Sequence, residues 1–288
     1  MRFIDSGRPR ADQLISWREV ARCARQTLTR HSRSISWGMA ALAKLLQAIE
    51  SEFPDDRMTY QKSIATFHPE NADEAARLLT LANRLKAPVY ITGFGNNIDP
   101  VGEPFTEMLS IRTDRLNQVH RVAPEDFYAV LGGGYPLREL NRSLAKHNLY
   151  LPHSDLPYVG SVGGAVATGL SATLYDHPLP IKKYMIKAEV VTPTGEIIRP
   201  GSVCFKSVSG YDIVKIFSPS WGLLGLLVSV TFRVMPDTAR EEYREMRQNA
   251  VDRERFLAGL DEGNDDVDAV YSRKIKAKFD PENILPIV

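Results

Sequence analysis

Three glycine-rich blocks hold the residues whose types and spacing could do chemistry. The first is Gly93-Phe94-Gly95-Asn96-Asn97, directly after the apolar run Val89-Tyr90-Ile91-Thr92. Glycines let successive N–H groups turn into one concavity that holds anionic oxygens. Asparagine tolerates left-handed backbone and can donate a side-chain N–H. A plain strand-ending turn has the same composition. The block is not a dinucleotide fingerprint, which needs a third glycine and a helix immediately after; Ile98-Asp99-Pro100 contradicts a helix. The second block runs from Gly160 through Ser161, Gly163, Gly164 and Thr168 to Gly169. Glycine costs about 1 kcal/mol against alanine inside a helix, so something must approach this backbone closely. A helix starting near Gly163 would turn free N–H groups and its dipole toward a phosphate. Small residues at Gly163, Gly164 and Ala167 would leave room for a pyrophosphate and a flat ring. Tight helix–strand packing without a ligand uses the same residues. The third block joins Gly210-Tyr211-Asp212 to Trp221-Gly222-Leu223-Leu224-Gly225-Leu226-Leu227. It reads as a turn whose backbone faces a ligand, or as a loop closing a sheet.

The elements around these blocks suit a soluble α+β chain. With 288 residues it can bury a substantial core in two lobes. A net charge of +1 gives no general pull toward nucleic acid or anionic membrane. No apolar run approaches membrane-spanning length. Cys23 and Cys204 cannot build an iron–sulfur cluster, which needs about four thiolates. The histidines lack close metal-ligand spacing, so no metal site is expected. Redox chemistry would therefore need an organic cofactor or a partner. Residues 12–53 read as helical, with Ile35, Met39, Leu42, Leu46, Ile49 and Phe53 on one stripe. That stripe packs on the main body or, with the basic residues upstream, docks on a membrane surface or a partner. Strands are expected at Ile64–Phe67, Val89–Thr92, Ser110–Arg112, Gln118–Val122, Tyr128–Leu131 and Leu226–Met235. Asn71 with Glu74 looks like a capping box opening a helix through Leu85. Glu139–His147 reads as a helix, and Val190–Ile198 as a hairpin turning near Thr194-Gly195. Asp237–Leu260 reads as one charged, exposed helix.

The order of the blocks, with Lys206-Ser207-Val208-Ser209-Gly210-Tyr211-Asp212 and the tail Lys276 to Pro286, resembles the PCMH-type FAD-binding domain of the vanillyl-alcohol-oxidase superfamily. Within it, the chain is most like the FAD-binding subunits of glycolate oxidase and D-lactate dehydrogenase. The resemblance implies an α+β fold of two subdomains with FAD between them. It divides the chain into an N-terminal helical extension (1–59), the FAD-binding domain (60–236) and a short helical segment (237–288) in place of a substrate cap. Gly93, Phe94, Gly95, Asn96 and Asn97, with Ser161, Gly163, Gly164 and Thr168, would cradle the pyrophosphate. Gly160 and Gly210 belong to the same cofactor-binding set. Pro152, His153 and Ser154 match a segment passing near the flavin, where His153 could move a proton or serve a structural role. Gly222, Gly225, Leu226 and Leu227 match the stretch that meets the adenine side. Phe94, the asparagine pair, Trp221 and Leu223 depart from the family pattern. No residue stands out as the catalytic base.

The implied protein is a cytoplasmic flavoprotein subunit, at most peripheral to the inner membrane. It would hold non-covalent FAD, oxidise a small 2-hydroxy acid and pass electrons to an iron–sulfur subunit or a second flavoprotein subunit. The alternative is an FAD-binding electron-transfer or scaffold subunit without a substrate site.

Overall fold

The structure, a computed structural model, describes residues 37–61, 63–98, 100–203 and 213–288. Cys23, Ile35, Cys204 and the Lys206–Asp212 block, with Gly210, lie outside them.

Helix α1 (Trp37–Glu52) leads into a four-stranded sheet. Its strands are β1 (Met58–Gln61), β2 (Ile64–Phe67), β3 (Val89–Thr92) and β4 (Leu109–Arg112), in the order β1-β2-β4-β3. The first pair is antiparallel; β2, β4 and β3 run parallel. Helix α2 (Ala72–Leu85) makes the crossover from β2. Asn71 caps it, its side chain accepting the Glu74 N–H at 2.8 Å. The Glu74 carboxylate reaches back to the Glu70 N–H at 2.9 Å, one residue earlier than a standard capping box. Of the α1 stripe, Leu42, Ile49 and Phe53 are buried and Leu46 half-buried, with Leu45 beside them, in a core shared with α2 and this sheet. The apolar face of α1 is therefore occupied by the body of the protein.

A second, antiparallel sheet contains β5 (Val119–Ala123), β6 (Tyr128–Gly132), β10 (Met185–Val191), β11 (Ile197–Ile198) and β12 (Leu226–Arg233), ordered β11-β10-β12-β6-β5. Pairing between β10 and β12 slips between Glu189 and Val190. A one-residue slip sends side chains to the opposite face. Leu226 and Val228 thus enter the first core, while Val230 and Phe232 enter a second one. The two long strands weld the two halves together. Helix α3 (Leu140–Leu144), with a 3-10 turn at either end, and α4 (Val162–Ala167) pack into the second core with β7 (Leu149–Tyr150).

Residues 237–260 are not one helix. They form a 3-10 stretch (Asp237–Tyr243), strand β14 (Arg247–Gln248) and helix α5 (Arg253–Ala258). β14 pairs with β8 (Ser171–Leu174), the inner strand of a hairpin with β9 (His177–Pro180). Asn249 extends this contact, donating its N–H to the Ser171 carbonyl at 3.0 Å and accepting the Thr173 hydroxyl at 2.9 Å. Asp252 then caps α5 through the Arg255 N–H at 2.8 Å. Pairing to a distant strand, invisible in a charged sequence, overrides helix propensity here.

Helix α6 (Val267–Phe279) is followed by a latched tail. The buried Asp280 carboxylate accepts the N–H groups of Ile284 and Leu285, both at 2.9 Å, and pairs with Lys276. The Ile284 carbonyl accepts the Val89 N–H at 2.7 Å, fixing the start of β3.

Candidate functional site: a cavity at the ends of two parallel strands

A cavity of about 810 Å³ opens beyond the carboxyl ends of β3 and β4, within the size range of ligand pockets. It brings together Gly93, Phe94, Gly95, Asn96 and Asn97 from the first block and Gly160, Ser161, Gly163, Gly164 and Thr168 from the second. Gly222, Gly225 and Leu227 join them from the third. Arg138 is the one charged side chain lining it among the described residues.

The turn after β3 has its carbonyls fixed and its N–H groups free. Arg112 ends β4 directly beside Thr92, the last residue of β3. Its Nε donates to the Gly93 carbonyl and its Nη2 to the Phe94 carbonyl, both at 3.3 Å. In a trans peptide the C=O and the following N–H point in opposite directions. The N–H groups of Phe94 and Gly95 therefore face away from the guanidinium. Among the described residues, no protein acceptor takes the N–H of Phe94, Gly95, Asn96 or Asn97. Gly95 sits at φ +79°, the alternation that turns consecutive N–H groups into one concavity.

The start of α4 has no such free donors. Ser161 caps it, its Oγ accepting the Gly164 N–H at 3.1 Å. The Val162 N–H donates to the Tyr135 carbonyl at 2.9 Å and the Gly163 N–H to the Gly133 carbonyl at 2.7 Å. The expectation that this helix offers free N–H groups to a phosphate is thus corrected: antiparallel backbone behind it has taken them. A Cβ on Gly163 would meet the Gly133 carbonyl oxygen at 3.0 Å, so this glycine answers to packing. Gly93 and Ser161 touch, since a Cβ on Gly93 would stand 2.3 Å from Ser161 Oγ.

Other expected site residues lie elsewhere. Pro152, His153 and Ser154 form a buried 3-10 turn that does not line the cavity. Ser154 Oγ donates to the Leu137 carbonyl at 2.7 Å. His153 Nε2 donates to the Leu179 carbonyl at 2.8 Å, and its ring meets Tyr184 edge-on. Burial pushes its pKa down to about 4, against the pull of that carbonyl, so it is neutral at pH 7. Leu226 is fully buried in the core of the first sheet.

Thr113, Tyr90 and the segment 248–251 join the wall from outside the three blocks, and Trp221 joins it from the third block. Among the described residues, Thr113 Oγ1 and Trp221 Nε1 are buried polar atoms without a partner, and both residues line the cavity. Trp221 is held at φ +50°, with Phe256 and Arg253 of α5 over its ring. Tyr90 stands near the same end, its hydroxyl pushed up to about 12 by burial while the Arg253 charge works against the shift. The segment 248–251 supplies a rim: Gln248 clasps the Tyr158 backbone through N–H and carbonyl, both at 3.0 Å. No local signal marks Thr113, Tyr90 or 248–251; each needs a pairing distant in sequence.

The geometry offers anion-binding N–H groups and a trough with Arg138 as the one charged side chain among its described lining residues. The family described as an FAD binding domain matches residues 64–201. The FAD-binding domain is of the PCMH type. D-lactate dehydrogenase of Archaeoglobus fulgidus is 28% identical over 171 residues, 58% of this chain and 38% of that protein. Glycolate oxidase subunit GlcD of Bacillus subtilis is 28% identical over 60% of this chain and 37% of its own length. The chain spans well under half the length of these relatives. Two structures of alkyldihydroxyacetonephosphate synthase share the fold, with TM-scores of 0.54 and 0.56 at 21% identity, over 67% of this chain. The cavity of the FAD-binding domain fits its cofactor: four N–H groups with no acceptor among the described residues suit a pyrophosphate. The 94–97 N–H groups would hold the phosphates, with the glycine-lined wall of α4 and Gly222 along the remainder.

Proposed function

We propose that this chain is the FAD-binding subunit of a multi-component 2-hydroxy-acid dehydrogenase of the glycolate or D-lactate type. The free N–H groups of the 94–97 turn, facing a cavity at two strand ends, carry the cofactor half of this reading. The names of the relatives support the substrate half. When bound, FAD supplies two-electron oxidation and can release electrons one at a time. The chain's own residues bind and orient: the N–H groups of the 94–97 turn hold phosphates, Arg112 bonds the Gly93 and Phe94 carbonyls of that turn, and Gly222, Trp221 and Leu227 shape the wall. Neither His nor Cys lines the cavity among the described residues, which supports non-covalent binding. With Cys23 and Cys204 too few for a cluster, the electron acceptor in this reading is an iron–sulfur subunit or a second flavoprotein.

A second reading follows from the wall itself. No His, Asp, Glu or Lys lines the cavity among the described residues, so a base for removing a substrate proton is not in place there. This favours an FAD-binding electron-transfer or scaffold subunit whose partner completes the active site. Absorption spectroscopy separates the readings. Purified protein with a flavin spectrum that glycolate or D-lactate bleaches anaerobically supports the dehydrogenase. A flavin spectrum that bleaches only with dithionite supports the second reading. Protein that stays colourless after incubation with FAD contradicts both.

A further inference from the structure

We propose that Arg112 is a positioning residue that aims the phosphate-binding N–H groups from behind. The inference rests on the FAD-binding reading of the cavity and adds the device that sets its geometry. Arg112 lies at the end of β4, opposite Thr92 in the parallel register, so its side chain reaches the turn as that turn leaves β3. One planar guanidinium bonds two consecutive carbonyls, Gly93 and Phe94, at the same distance of 3.3 Å. That fork geometry is specific to arginine; a lysine ammonium can satisfy one such carbonyl but not hold the plane of two. Fixing both carbonyls fixes both following N–H vectors through peptide planarity. Those N–H groups, on Phe94 and Gly95, have no protein acceptor among the described residues. The turn has no other side-chain brace on these two carbonyls among the described residues. Without the fork, a Gly-Phe-Gly segment has ample freedom to rotate its peptides. The guanidinium also places a positive charge behind the peptide dipoles, which adds to their attraction for an anion.

The proposal predicts a loss confined to the phosphate part of the ligand. Apo-protein is titrated with FAD, ADP and adenosine, using wild type, R112K and R112M, with thermal midpoints measured alongside. R112M should bind FAD and ADP about tenfold more weakly, while adenosine, which has no phosphate, binds as to wild type. R112K should fall between them, because it restores one of the two carbonyl contacts. If R112M does not fold, R112K carries the same comparison. R112M binding ADP as tightly as wild type overturns the proposal. So does equal weakening toward ADP and adenosine, which marks a general loosening of the cavity. Wild type that binds neither FAD nor ADP removes the FAD-binding reading itself and the proposal with it.

Discussion

Two glycine-rich segments meet at this cavity, and they differ in what happens to their N–H groups. In the turn 93–97, Arg112 holds the Gly93 and Phe94 carbonyls, and four N–H groups have no protein partner among the described residues. At 161–164, the N–H groups of Val162, Gly163 and Gly164 are bonded to Tyr135, Gly133 and Ser161. The same residue type serves ligand access in one case and backbone packing in the other. The composition of the two segments is nearly alike. What separates them is where the hydrogen bonds go, a property of the whole fold.

If the second segment is scaffold, damage around it should appear as lost stability. The largest such effect concerns His153, buried in the same core as α4. Its ordinary pKa of 6.5 drops to about 4 in the folded state. Depression of a histidine means the folded form resists protonation while the unfolded chain accepts it. The stabilisation is complete above pH 6.5 and is lost as the pH falls toward 4, about 3 kcal/mol in all. Urea unfolding at pH 7.5 and 4.5 should show that slope, and H153Q should flatten it while leaving FAD affinity at pH 7.5 unchanged. A drop in affinity for H153Q would return the histidine to the binding site.

Gly163→Val sharpens the contrast. A phosphate contact there would make the variant fold normally and lose FAD. The packing found here predicts overpacking against Gly133 with a cost of about 1–3 kcal/mol, read as a lower urea midpoint, with FAD still bound by the folded fraction. Gly95→Ala should do the opposite. Its backbone at φ +79° disfavours a side chain by about 1–2 kcal/mol. The turn can relieve that strain by rotating its peptides. FAD affinity should therefore fall about tenfold with a small change in thermal midpoint. Ser161→Ala is expected to have the smallest effect, about 1 kcal/mol for a lost helix cap, and calorimetry should show it without a change in flavin content.

Much of the fold was legible because its signals are local. The Asn71 cap with Glu74, the short apolar runs at 64–67 and 128–131, and the hairpin at Thr194-Gly195 each depend on neighbours in sequence. The glycine blocks marked the cavity, and their order carried the family resemblance. Arg112 was not legible, because its role exists only through the parallel register of β3 and β4. The 237–260 segment was misread since its charged composition hides the pairing of Arg247 and Gln248 with β8. Pro152, His153 and Ser154 were assigned to the flavin by resemblance, whereas Asn141, Leu137 and Leu179 draw them into the core.

Amide hydrogen exchange, followed on peptides covering 93–98 and 161–168 with and without FAD, tests the central claim most directly. The account predicts that 161–168 is protected before FAD is added and changes little. It predicts that 93–98 exchanges rapidly in the free protein and becomes protected when FAD binds. Fast exchange at 161–168 that FAD slows, with 93–98 unaffected, would contradict it and place the phosphates at the helix start instead.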